Sequence, residues 1–182
     1  HLTENKKTKV KLWDTHSSFQ RTVNYIKSKE NPDFLIASGD ISNDGTKKSY
    51  IAYQKGIKHF EKPVFTILGN HDNHKNFQAV FQTKLPSIKK IILSETWLVI
   101  AIDSTSINRE SGSITKQQIH SLRKLIEGNK DKSLVLCLHH QPIKMGFWID
   151  QIGLENSDQF IASITNQPNI KAVIWGHVHH ES

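Results

Sequence analysis

Four apolar runs, far apart in the chain, each stop at a cluster of chemically capable polar residues. Residues 34–38 run into Gly39-Asp40, and residues 64–68 into Gly69-Asn70-His71-Asp72. Residues 133–138 run into His139-His140, and residues 170–175 into Gly176-His177-Val178-His179. The runs are strand-sized and bounded by Gly, Pro or Asn. Between them lie stretches of helical period. Phe19, Val23 and Ile26 predict a helix over 17–29; Tyr50, Tyr53, Ile57 and Phe60 one over 47–59; Ile119, Leu122 and Ile126 one over 115–127, stopped by Gly128. Shorter helices are expected at 76–82 and 158–165, and strands at 91–93 and 97–102 about a polar turn. Strands alternating with helices predict an α/β, layered domain. Sites in open α/β sheets form beyond the carboxyl ends of the strands, so the polar clusters are expected to converge on one spot.

The 182 residues make one domain's worth of chain, long enough to bury a core. With 36% hydrophobic and 23% charged residues, the composition is neither membrane-spanning nor disordered. One cysteine excludes a disulfide framework and a cysteine-based zinc finger. Neither a secretory signal nor a lipidation motif can be read, so the default compartment is the cytoplasm. The formal charge is +7. Nearly all the positive charge is lysine, scattered along the chain, with Arg21, Arg109 and Arg123 as the arginines. Nucleic-acid readers lean on arginine, which argues against such a partner and for a solvated surface. The standout count is eleven histidines, five of them in His139-His140 and His177-Val178-His179-His180.

Taken singly, each cluster has a plain reading. Gly39-Asp40 could be a strand end. Asp40-Ile41-Ser42-Asn43-Asp44-Gly45 imitates the start of a calcium-binding EF-hand loop, but the twelfth position is Ile51 and no helix precedes it. Gly69-Asn70 suits a turn. His139-His140 could be a satisfied core pair. His177 and His179 would share one side of an extended segment, a weak metal-clamp signal alone. Together they offer carboxylate, amide and imidazole donors at strand ends, the set that hard and borderline divalent metals take. Sulfur ligands are absent, as suits Mn, Fe or Zn acting on phosphate. His71 is placed to donate a proton or a hydrogen bond, with Asp72 expected to orient it.

These blocks resemble the calcineurin-like metallophosphoesterase superfamily, whose ordered motifs are D-x-H, G-D, G-N-H-[DE], a strand-closing His and G-H-x-H. Gly39-Asp40, Gly69-Asn70-His71-Asp72, His139 and Gly176-His177-Val178-His179 match in that order. Gly39-Asp40-Ile41-Ser42 with Asp44, Ile102-Asp103-Ser104, Leu138-His139-His140-Gln141-Pro142-Ile143 and the loop from Gly146 to Asn156 are similar to bacterial class III 3′,5′-cyclic-nucleotide phosphodiesterases. The chain departs from them at Gln141, where a third His is common, and at His180, where Gln is common. The resemblance implies a four-layer α-β-β-α sandwich, seen here without its first strand and its last strands, as one domain over residues 1–182.

It also implies two divalent ions (Fe, Mn or Zn) with Asp40 bridging them, and Asn70, His139 and His177 completing one ion. His179 would join the D-x-H pair on the other. Asp14-Thr15-His16 spells that block, but the preceding Lys9-Val10-Lys11-Leu12-Trp13 alternates lysine with apolar residues and reads as an exposed edge or loop. Asp14 and Thr15 also suit the cap of the helix that follows. The register Asp-x-His-Leu favours His1-Leu2 as the ligand pair's remnant. The implied activity is hydrolysis of a small-molecule phosphodiester, cAMP to 5′-AMP, by a metal-bridging hydroxide. His71 would protonate the leaving oxygen or contact the phosphate, and His1, Asn70 and His179 would touch substrate too. Phe147 or Trp148 could stack on the base or simply pack the loop, and Arg109 reads as a solvated loop residue. The alternatives are another phosphoester (a phosphoprotein, a nucleic-acid end or a dinucleotide) and a non-catalytic scaffold, which the presence of His71 disfavours.

Overall fold

A computed structural model describes residues 1–10, 12–58 and 60–179. Its elements are α1 (Thr15–Lys29), β1 (Leu35–Ser38), α2 (Lys47–Ile57), β2 (Val64–Ile67), α3 (His74–Phe81), β3 (Ile88–Ile92), β4 (Trp97–Ile102), α4 (Lys116–Glu127), β5 (Ser133–Cys137), α5 (Ser157–Ile164) and β6 (Ile170–Ile174). A 3-10 helix, Trp148–Ile152, lies between β5 and α5. The fold is mixed α/β, consistent with the metallophosphoesterase class. Contacts gather the chain into two compact units, His1–Leu85 and Pro86–Ser182.

In the first unit β1 and β2 pair in parallel, with Leu35 opposite Val64 and Ser38 opposite Ile67. Parallel neighbours need a crossover, which α2 supplies. Tyr50, Tyr53, Leu68, Phe77, Leu2 and Ile41 form the core. Asp14 caps α1, its carboxylate accepting from the Ser17 N–H at 3.0 Å and the Ser17 hydroxyl at 2.6 Å. That is the capping role expected for it. Val10 and Trp13 form one isolated bridge and no strand among the described residues, and Leu12 is exposed with a φ of 71°.

The second unit holds a four-stranded sheet in the order β3-β4-β5-β6. β3 runs antiparallel to β4, and β4, β5 and β6 are parallel. Leu98, Ile100 and Ile102 of β4 and Leu134 and Leu136 of β5 are buried against Leu122 and Ile126 of α4 and Phe160 of α5. Helix α4 starts with a capping box: Thr115 accepts from the Gln118 N–H while the Gln118 side chain accepts from the Thr115 N–H.

Helix α2 ends at Ile57, so the final position expected for it, residue 59, lies outside the described residues. Two of the apolar runs form strands that are only partly buried. β1 is half-buried along its length, and β6, an edge strand among the described residues, exposes Lys171, Ala172 and Ile174. Among the described residues no helix is long and apolar enough to cross a membrane.

Candidate metal centre

The first group of donors forms where β1 ends. Gly39 and Asp40 take φ values of 106° and 54°. The left-handed region costs glycine nothing, and Asp is one of the few other residues that tolerates it. Asp40 is buried, its Oδ1 accepting from the His71 backbone N–H at 3.1 Å. Its Oδ2 lies 3.3 Å from His1 Nε2. His1 is held there by its neighbour: the Leu2 N–H donates to Ile41 O at 2.9 Å, and the Asn43 N–H to Leu2 O at 2.7 Å. His1, Asp40 and His71 each offer a ligand atom within 4.8 Å of the others. The His1 and His71 rings meet edge to face, with centroids 4.7 Å apart. His16 is engaged elsewhere, its Nε2 lying 2.9 Å from Thr3 O. Asn70 is half-buried between Gly69 and His71.

Asp72 departs from its expected role. Its Oδ2 accepts from the N–H groups of Ile41 (3.0 Å) and Gly69 (2.9 Å). Its Oδ1 accepts from the Ser42 N–H (2.9 Å) and the Tyr50 hydroxyl (3.0 Å). With these four donors the carboxylate's acceptor sites are filled, and the ring of His71 stands near Asn43 O instead, at 3.4 Å. Sequence adjacency suggested an Asp–His pair, but a carboxylate drawn into the core takes the main-chain donors that line it. Burial pushes the Asp72 carboxyl above the usual carboxylate range, opposed by the N–H groups of Gly69, Ser42 and Ile41. Asp72 therefore ties the backbone after Asp40 to the backbone before Asn70.

Tyr50 completes that tie. Its hydroxyl also accepts from the Asn73 N–H at 2.6 Å, and the residue is wholly buried. Tyr50→Phe leaves the Asn73 N–H without its acceptor and removes one donor from Asp72. Urea unfolding should show a loss of about 1–3 kcal/mol, the cost of a buried group left unsatisfied. An unchanged midpoint would mean that the tie contributes nothing.

The second group forms where β5 and β6 end. The Leu138 N–H donates to Ile174 O at 3.1 Å and the Gly176 N–H to His139 O at 3.0 Å, so the main chain stays paired into the site. His139, His140 and His177 are buried and offer ligand atoms within 4.8 Å of one another. They are not equivalent. A carbonyl only accepts, so His140 Nε2, 3.0 Å from Glu110 O, carries the proton. His140 Nδ1 lies 2.8 Å from the Ser104 hydroxyl, which also receives the His140 backbone N–H at 3.2 Å. Both ring nitrogens are thus committed, and the geometry makes His140 a fixed neighbour of the donors rather than a donor. His177 Nε2 is 3.1 Å from Ile152 O, which makes Nδ1 the unprotonated, metal-competent nitrogen of the neutral ring. The His139 and His177 ring centroids are 5.0 Å apart.

His177 and His179 were expected on one side of an extended segment. Instead both have positive φ, 68° and 52°, and the Val178 N–H closes onto Gly176 O at 2.7 Å, so the segment is a tight turn. His179 is exposed and stands outside the imidazole group. Three candidate ligands, Asp40, His177 and His179, thus sit in the left-handed region, and such strain gathers at functional sites.

The lock on His140 was not anticipated from the sequence. Its signal was Gly112: a Cβ there would stand 2.3 Å from His140 Nδ1 and 2.7 Å from Ser104 O. Gly112→Ala should therefore displace the His140 ring. Overpacking of this kind costs about 1–3 kcal/mol, read as a lowered unfolding midpoint. Wild-type stability would show that the ring is not held tightly.

Carboxylate and imidazole donors without sulfur fit divalent Mn, Fe or Zn. In class this is a metallophosphoesterase, a hydrolytic enzyme fold with donors at its strand ends. The model of the calcineurin-like phosphoesterase family matches residues 13–181, and the chain belongs to that family. It is 29% identical over 184 residues to the 3′,5′-cyclic adenosine monophosphate phosphodiesterase CpdA of Haemophilus influenzae, covering 100% of this chain and 67% of that protein. The protein of the same name from Vibrio vulnificus is 29% identical, covering 99% of this chain and 72% of its own length. A probable cyclic nucleotide phosphodiesterase of Colwellia psychrerythraea is 34% identical over 154 residues, covering 82% of this chain and 57% of the relative. The chain thus spans roughly two thirds of the length of the curated relatives it matches.

Proposed function

We propose that this chain is a single metallophosphoesterase domain that hydrolyses 3′,5′-cyclic nucleotides, cAMP to 5′-AMP, using two divalent cations. Its ligands would be His1, Asp40, Asn70, His139, His177 and His179. The observation that carries the reading is the setting of Asp40: buried, in a left-handed turn, with one oxygen on the His71 N–H and the other beside His1. The names of the relatives support the substrate. When bound, the cations would activate water and neutralise charge growing on the phosphoryl oxygens. Water adds to phosphorus, the bond to the 3′ oxygen breaks, and that oxygen leaves with a proton from His71. His71 is exposed, as a group that meets a diffusible substrate must be. His1, Asn70 and His179 would add contacts to the phosphate.

The test is hydrolysis by the full-length protein, loaded with Mn or Fe, of cAMP, cGMP and bis(p-nitrophenyl) phosphate. Conversion of cAMP to 5′-AMP is the expected result. Turnover of the nitrophenyl diester with none of either cyclic nucleotide would leave the family and remove the substrate.

A further inference from the structure

Gln141 follows the imidazole pair and is one of the two positions at which the chain departs from the resembled pattern. It is 2% exposed. Its side-chain Nε2 donates to Ile149 O at 2.9 Å, and its own carbonyl accepts from the Leu154 N–H at 3.1 Å. Gln141 thereby holds the strap formed by residues 149–154 at both ends. Between those two anchors lies the Ile152 carbonyl, which accepts from His177 Nε2 at 3.1 Å. The amide cannot be turned over, because that would set its oxygen against the Ile149 carbonyl. Its Oε1 is buried with no hydrogen-bond partner among the described residues, so the donor end alone anchors the side chain. The strap also fits closely at Gly153, where a Cβ would stand 2.8 Å from Gln141 Nε2 and 3.0 Å from its Cδ.

We propose that Gln141 is a positioning residue for His177: by fixing the strap it fixes the Ile152 carbonyl, which holds the His177 ring as the Nε2–H tautomer with Nδ1 presented to a metal ion. The proposal rests on the reading of His177 as a metal ligand, but not on the identity of the substrate. Outer partners of metal-binding histidines set tautomer and ring orientation in this way, and their loss costs roughly 10–100-fold in metal affinity. Gln141 acts one bond further out, so the low end applies.

The experiment compares the metal-free full-length wild type with Gln141→Met, which keeps the length and apolar bulk of the side chain and removes the donor. Imidazole nitrogen shifts in two-dimensional NMR read the His177 tautomer, and calorimetric titration with Mn or Zn alone reads affinity. In Gln141→Met, His177 should lose its single Nε2–H form, and the metal Kd should weaken about tenfold. Gly153→Ala, which pushes the amide from outside, should move both readouts in the same direction by less, and it carries the test if Gln141→Met does not fold. A single Nε2–H form with a Kd within about twofold of wild type overturns the proposal. So does a weakened Kd with the tautomer unchanged, since the effect then reaches the metal by another route. Neither readout uses substrate, so an inactive result with cyclic nucleotides would leave this one standing.

Discussion

Replacing Asp40 by Asn should remove activity by more than about 10²-fold while leaving the fold intact, since even outer partners of a metal site cost up to about that much. The choice of Asn follows from the backbone. Asp40 has a φ of 54°, a conformation that Asn accepts as readily as Asp and that most other side chains resist. An Asn Oδ1 can still accept the His71 N–H that Asp40 Oδ1 now receives at 3.1 Å. What the substitution removes is the negative charge, and with it the anionic oxygen beside His1. Metal content by elemental analysis should fall together with turnover, while the unfolding midpoint of the metal-free protein stays near that of wild type. Asp40→Ala is the poorer experiment, because a Cβ residue without a local polar partner in the left-handed region adds about 1–2 kcal/mol of strain. Full metal content in Asp40→Asn would take Asp40 out of the coordination sphere.

Which features were readable in advance follows from the range of the interactions involved. The cap at Asp14 is local and appears as expected, whereas Thr115, read as the first residue of its helix, is the residue that caps it. The elements themselves also follow from local periodicity, but their ends move where two signals compete. Helix α3 begins at His74, with Asn73 as its cap, two residues before its expected start. Its last residue is Phe81, and Gln82 caps it in the left-handed region with a φ of 50°. β3 covers Ile88–Ile92 although Lys89 and Lys90 break its apolar run. Pairing with β4 fixes those lysines on the strand, and the long stem of Lys90 lets its ammonium reach Asn129 Oδ1 at 2.8 Å.

The candidate donors are legible from their place at strand ends, a rule of topology. The partners that hold them are not. Adjacency in sequence pairs Asp72 with His71, yet its four donors come from residues 41, 42, 50 and 69. The Ile152 carbonyl on His177 is a main-chain atom, which no residue type advertises. Long-range main-chain partners of this kind leave a trace in sequence only where they demand glycine, as at Gly112.

His71→Ala separates the two things that residue can be. The ring stands among the donors of the first group, its centroid 4.7 Å from that of His1, and it is exposed. Its main-chain N–H on Asp40 survives the substitution, so the Asp40 carboxylate keeps that hydrogen bond. If the ring supplies the proton to the departing 3′ oxygen, metal content should stay nearly intact and cAMP turnover should fall by on the order of 10²–10⁴. The loss should depend on the leaving group. An alkoxide of high pKa needs the proton, whereas a nitrophenolate leaves nearly as well without it, so bis(p-nitrophenyl) phosphate should suffer much less than cAMP. Since Asp72 is not on the ring, Asp72→Asn should act differently. It should destabilise the tie among residues 41, 42, 50 and 69 and lower the unfolding midpoint, without the leaving-group dependence seen for His71. Metal loss in His71→Ala would make the ring a ligand. Equal losses on the two esters would remove the acid and leave a phosphate contact in its place.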